Sequence, residues 1–172
     1  MQVRLPGFKA LDPRQADFLI QRHERVAALF PLYGDLRGIL LGIGGLEVVM
    51  PRYDELSAGQ RRRQHYDTQQ IISRARTWLG NDLVLSPMKD SNCHVNVATV
   101  RARGRGTIAT GFALSEDGLW REHSWLTLDA DTVLETTVAR LLYHGYVLTR
   151  QEQRRFVWSE LGLIKWVLTK MR

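Results

Sequence analysis

The chain has 172 residues, 44% of them apolar, with a net charge of +6 and an isoelectric point near 9.9. Such a chain is long enough for one compact domain with its own core and too evenly mixed for a low-complexity or disordered one. Its single cysteine excludes an intramolecular disulfide and any multi-cysteine zinc knuckle, and no apolar run is long enough for a signal peptide or a membrane span.

The first helix is predicted from Asp12-Pro13, with Asp as N-cap and Pro at the first helical position. Phe18, Leu19, Arg22, Val26 and Leu29 then recur at helical spacing until Pro31 stops the run. Residues 32–45, around Ile39-Leu40-Leu41, read as a short buried helix or strand. Gly42-Ile43-Gly44-Gly45 lacks the strand–turn–helix setting of a dinucleotide fingerprint and reads as a turn. Ser57 opens a long helix expected to run to Leu79, with Tyr66, Ile71, Ile72, Ala75, Trp78 and Leu79 as its apolar stripe and Gly80-Asn81-Asp82 as its end.

Val84-Leu85-Ser86-Pro87 reads as a short extended segment, and residues 93–103 fit a helix with Val97, Ala98 and Val100 turned inward. Three strand-like runs follow, at 107–114, 120–128 and 132–137, separated by turns at 115–118 and 129–131. Residues 143–148 are expected to add an edge strand. The last stretch, 151–171, reads as an amphipathic helix presenting Phe156, Leu163, Ile164, Val167 and Leu168. The expected class is α+β: a helical N-terminal half and a nucleophile-bearing helix packed on a small antiparallel sheet, with a C-terminal helix. One domain is expected over 1–172, with 1–82 mainly helical, 83–150 the helix plus sheet, and 151–172 the final helix.

The chemistry concentrates in Ser91-Asn92-Cys93-His94-Val95-Asn96, Glu122-His123-Ser124-Trp125 and Glu135-Thr136-Thr137. A thiol is mostly protonated at neutral pH, and its thiolate is the reactive form. At a helix N-terminus Cys93 meets unpaired backbone N–H groups and the positive end of the helix dipole, both of which favour S⁻ and a developing oxyanion. His123 suits the general acid/base, and Glu135 suits the acceptor that fixes its tautomer. In a hairpin turning at 129–131, position 123 pairs near 137, so Glu135 lies one diagonal step from His123. Each of the three also has a plain reading, as a core thiol, a strand histidine and a solvated carboxylate.

Around them, Asn92 is either an oxyanion donor or an N-cap, and Asn96 is a further oxyanion candidate. His94 either lines the site or points away, and Trp120 and Trp125 either wall a cleft or pack in the core. A metal site from Cys93, His94 and His123 has awkward adjacent ligands and no fourth member, so neither a metal nor a cofactor is expected.

The ordered set Cys93-His94-x-Asn96, Gly111-Phe112-Ala113-Leu114, His123-Ser124-Trp125 and Glu135-Thr136-Thr137 resembles the papain-like and transglutaminase-like cysteine hydrolase superfamily over roughly residues 86–150. That superfamily packs a nucleophile helix on an antiparallel sheet and follows its catalytic His with an acid, commonly Asp in an Asp-x-Thr setting, where this chain has Glu135-Thr136-Thr137. The resemblance implies a Cys93, His123, Glu135 triad acting on an amide, ester or thioester: a peptidase, amidase, deamidase or transglutaminase-like enzyme. Arginine clusters at 61–63, 101–105 and 154–155 give the basic excess. They favour an acidic protein or peptide partner, with a non-catalytic adaptor for nucleic acid or acidic protein as the alternative. No membrane partner is expected, and the free thiol fits the cytoplasm.

Overall fold

The computed structural model describes residues 5–50, 55–80 and 82–170, and side chains as far as Gly162. Asp12 caps α1 (Pro13–Leu29) by accepting from the Arg14 and Gln15 amides, and Leu19 and Val26 bury while Phe18 and Leu29 stay exposed. The ambiguous segment forms helix α2 (Leu32–Ile43), buried through Tyr33, Leu36 and Leu40. It ends on Gly44 and Gly45, both at positive φ. The short strand β1 (Glu47–Val49) follows. Helix α3 (Ala58–Arg74) begins with a reciprocal capping box between Ser57 and Gln60.

Two expectations need correcting here. The α3 helix stops at Arg74, because Ala75 is extended and Arg76–Leu79 forms a strand, β2. The apolar residues predicted for the end of a helix instead pair with β7 (Leu142–Val147), Trp78 lying opposite Tyr143. That pairing also moves β7 from the sheet edge to its interior.

The other elements lie where the sequence places them: β3 (Leu83–Leu85), α4 (Cys93–Ala102), β4 (Thr107–Leu114), β5 (Leu119–Thr127), β6 (Val133–Glu135) and α5 (Arg150–Lys170). Of the residues expected on the inner face of α5, Phe156 is buried; the side chains of Leu163, Ile164, Val167 and Leu168 lie outside the described residues.

The sheet runs β2-β7-β4-β5-β6-β3, with β1 alongside β5. It is larger than expected and mixed, since β1–β5 and β3–β6 are parallel while the central pairs are antiparallel. The N-terminal half therefore supplies two strands as well as three helices. Strict alternation splits the sheet residues into two cores. Ile108, Phe112, Leu114, Trp120, Leu126, Leu142 and Tyr146 face the helices. Ala109, Ala113, Trp125, Val133 and Tyr143 form a smaller cluster on the other face with Trp78. The Trp78 and Trp125 rings meet edge-on at 5.4 Å although β7 and β4 separate their strands, so the sheet curls around this second cluster. No helix among the described residues is long and apolar enough to cross a membrane.

Candidate active site

The β5–β6 register pairs Leu126 with Leu134 and Thr127 with Val133. Extended by its own arithmetic, that register sets His123 opposite 137 and Glu135 diagonally before it, the spacing read from the hairpin. His123 Nε2 and Glu135 Oε2 are 2.8 Å apart. The carboxylate has no exposed surface and is surrounded by donors. Oε2 also accepts from the Tyr143 hydroxyl at 3.0 Å, while Oε1 accepts from the Thr136 and Thr137 amides and the Thr137 hydroxyl at 2.7–2.8 Å. Burial alone would push the Glu135 carboxyl up, but the His123 and Thr137 hydrogen bonds and the His123 charge outweigh it and hold it below the usual range. The side chain is an ionised acceptor rather than a solvated strand carboxylate.

Cys93 reaches the same imidazole by an indirect route. Strand β5 is paired by β1 at Leu119–Arg121 and by β6 at Leu126–Thr127, so its edge is open in between. The chain after β3 fills that opening. Ser86 and Met88 donate to the Glu135 and Thr136 carbonyls, carrying the β3–β6 pairing past the end of the strands. Ser91 then turns at φ 59, the only described non-glycine residue at positive φ, and α4 begins at Cys93. The start of α4 straddles the open edge of β5. Cys93 lies beside His123 on one face of the strand, close enough to favour its protonated form, and His94 Nδ1 meets Ser124 Oγ at 2.8 Å on the other. Because Glu135 occupies Nε2, Nδ1 is left to the thiol.

The two histidines are driven in opposite directions. Burial would lower His123, yet the hydrogen bond it donates to Glu135, its interaction with Cys93 and the charges of both raise it to about 9, so it carries a proton at neutral pH. Burial, with Arg63 and His123 nearby, lowers His94 to about 4. His94 is thus a neutral structural residue. Ser124 passes its own proton to Thr110 at 2.9 Å, so His94 donates from Nδ1.

The remaining predicted site residues separate on inspection. Asn92 holds the N-cap position, but at φ −121 and ψ 33 its side chain makes no capping bond. The first intrahelical bond is Asn96 N to Asn92 O, which leaves the Cys93, His94 and Val95 amides without helical acceptors at the thiol. Asn96 is buried one turn into the helix, and its side-chain amide donates to the carbonyls of Lys89 at 2.8 Å and Thr136 at 3.4 Å. Trp125 is no wall of an open cleft. It lies fully buried beneath His123, the two rings stacked at 6.3 Å and 18°, and it fits there because Gly145 has no side chain; a Cβ at that position would sit 2.8 Å from the indole. Trp120 is equally buried, on the helical side.

Tyr143, which shares Glu135 Oε2 with His123, was not legible as a site residue, because its strand read as an edge. Its hydroxyl is pushed far up by burial and by the Glu135 charge and hydrogen bond, so it keeps its proton, donating to Glu135 while accepting from the Arg140 amide at 3.3 Å. Among the described residues no group of three or more His, Cys, Asp and Glu side chains is placed to hold a metal ion. Comparison with family models, with curated proteins and with solved structures finds no match.

Proposed function

We propose that the protein is a cysteine-dependent hydrolase or acyltransferase in which Cys93 is the nucleophile, His123 the general acid/base and Glu135 the residue that orients it. One observation carries the reading: a half-buried thiol at a helix start lies beside an imidazole that is held on its far side by a fully buried, ionised carboxylate. Surface residues that met by accident would not desolvate such a chain and satisfy every acceptor in it.

In the first half-reaction Cys93 Sγ attacks the carbonyl carbon of an amide, ester or thioester. The oxyanion forms beside the free amides of the first turn of α4. The His123 proton passes from Nδ1 to the leaving group, and a thioester to Cys93 remains. Water or an amine then resolves it, delivering its own proton to Nδ1 and restoring the thiolate–imidazolium pair. The basic surface suits an acidic protein or peptide as acyl donor, and the free thiol suits a reducing compartment such as the cytoplasm.

Mass spectrometry after brief treatment with p-nitrophenyl acetate tests the reading. A single acetyl group on Cys93 is expected, with release of p-nitrophenol, and His123→Ala should slow acetylation at least about a hundredfold. A Cys93 that acylates only after unfolding, or at the same rate without His123, would overturn it.

A further inference from the structure

Helix α5 turns its described acids to one face and carries Arg150 and Arg154 on another, with Arg155 beside Glu152. Its acids Glu152 and Glu160 turn toward α3, where they pair with Arg74 at 3.3 Å and Arg63 at 3.2 Å. Arg150 and Arg154 turn the other way, toward the C-terminal end of α4, where Arg101 faces them across a groove of about 840 Å³. Among the described residues none of these three arginines makes an ion pair. Val157 and Leu161 also line the groove, and beside them Trp158 is 78% exposed, the most exposed large apolar side chain among the described residues. A solvated indole next to unpaired guanidinium groups is the composition of a binding surface rather than of an ordinary helix exterior.

The spacing narrows the occupant. Arg150, Arg154, Trp158 and Gly162 recur every four residues, so two cations and an indole stand about 6 Å apart along one ridge. At Gly162 the ridge has a gap: a Cβ there would lie 3.7 Å from the Trp158 ring, so the absent side chain leaves that ring open. Alternate side chains of an extended peptide are about 7 Å apart, which matches this ridge. Guanidinium forks pair carboxylates two at a time, and the indole offers a face to an aromatic ring.

We infer that the α4–α5 groove docks an acidic peptide segment, with two carboxylates on Arg150 and Arg154, supported by Arg101, and an aromatic residue on Trp158. Nucleic acid fits less well. Single-strand sites stack successive bases on several aromatics along a continuous basic track, whereas here one indole stands over an apolar floor. The surface stands on its own residues and does not depend on acyl transfer at Cys93, which lies about 12 Å away along α4 from Arg101.

Fluorescence anisotropy with the full-length protein tests this, using a labelled short peptide that carries acids at alternate positions followed by phenylalanine. Saturable, salt-sensitive binding is expected. Arg150→Ala/Arg154→Ala should weaken it at least about tenfold. Trp158→Ala should weaken it about fivefold for this probe and leave unchanged the binding of the same peptide with alanine in place of phenylalanine. Arg14→Ala/Arg25→Ala, on the exposed face of α1, should change nothing. No saturable binding, equal losses from the α1 variant, or indifference to Trp158 would each overturn the assignment. So would an oligothymidylate that binds more tightly than the peptide through the same arginines, which would make the groove a nucleic-acid surface.

Discussion

Glu135 keeps a charge wholly out of water because five donors converge on its two oxygens, and two of them, the His123 ring and the Tyr143 hydroxyl, share one oxygen. Function and stability should therefore rank the residues differently. In turnover Cys93→Ala should be the most severe, His123→Ala nearly as severe, and Glu135→Gln milder, because both reacting groups remain. In stability the order should reverse. Glu135→Gln removes the charge and turns an NH₂ toward either the two backbone amides or the protonated His123 ring, none of which can accept from it, and should cost about 3 kcal/mol, Tyr143→Phe about 1–2 kcal/mol, and Cys93→Ala little. Urea unfolding of the three variants checks this, and a Glu135→Gln protein as stable as wild type would mean that the donors are not arranged as described. The nearness of Cys93, His123 and Glu135 was legible because their types, order and local turns point to it. Tyr143 carries no such mark, since a tyrosine on a strand looks alike whether its hydroxyl meets water or a buried carboxylate.

At the scale of the elements, a single boundary accounts for most of what the sequence hid. Residues 75–79 continue the apolar stripe of α3 closely enough to read as helix, and only the non-local pairing of Arg76–Leu79 with β7 makes them a strand. With that partner unseen, β7 looked like an edge. The β5–β6 hairpin was legible because the turn at 129–131 is local: the Asp129 side chain accepts from the Asp131 and Thr132 amides and sets the register. The route of 86–92 was not, since it depends on Asn96 gripping a carbonyl in the loop and another beyond β6. Asn96→Ala should therefore cost about 2 kcal/mol, chiefly by taking its donor from the Lys89 carbonyl, since Thr136 keeps the Met88 amide, and should make Cys93 alkylation by iodoacetamide less dependent on His123. Asn92→Ala, which removes no capping bond, should change stability by less than about 0.5 kcal/mol. Equal melting temperatures for the two variants would show that Asn96 does not hold the loop.

For the molecule as a whole, composition and alternation were enough for the α+β class. They could not divide the buried residues between a helical core and an aromatic cluster inside the curl, because alternation reports two faces and not what covers each. The same blindness applies to the five histidines, which are equivalent in composition and unlike in the fold. His94, under the helices, drops from the ordinary 6.5 to about 4, and His123, on the aromatic face, rises to about 9. The signs work out oppositely. An unfolded His94 binds a proton more readily than the folded one, so its contribution to stability is present above pH 6.5 and is lost as pH falls toward 4. The folded His123 holds its proton more tightly, so its contribution is full below pH 6.5 and is lost as pH rises through about 9. Glu135, held below its ordinary 4.5, adds an acid loss only further down, which leaves the interval from 6.5 to 4.5 to His94 among these three groups. Glu122, raised to about 7, and His23 and His144, both lowered, titrate over the same range, Glu122 with the opposite sign, so His94 is read as a difference. Unfolding free energies measured by urea across that interval should fall more in the wild type than in His94→Asn, which keeps a neutral donor for Ser124, by on the order of 2 kcal/mol. His123→Gln should leave that acid slope alone and flatten the decline between pH 6.5 and 9 instead. Parallel acid slopes in wild type and His94→Asn would mean that His94 titrates alike in the folded and unfolded chains, and that its packing against the helices does not hold it neutral.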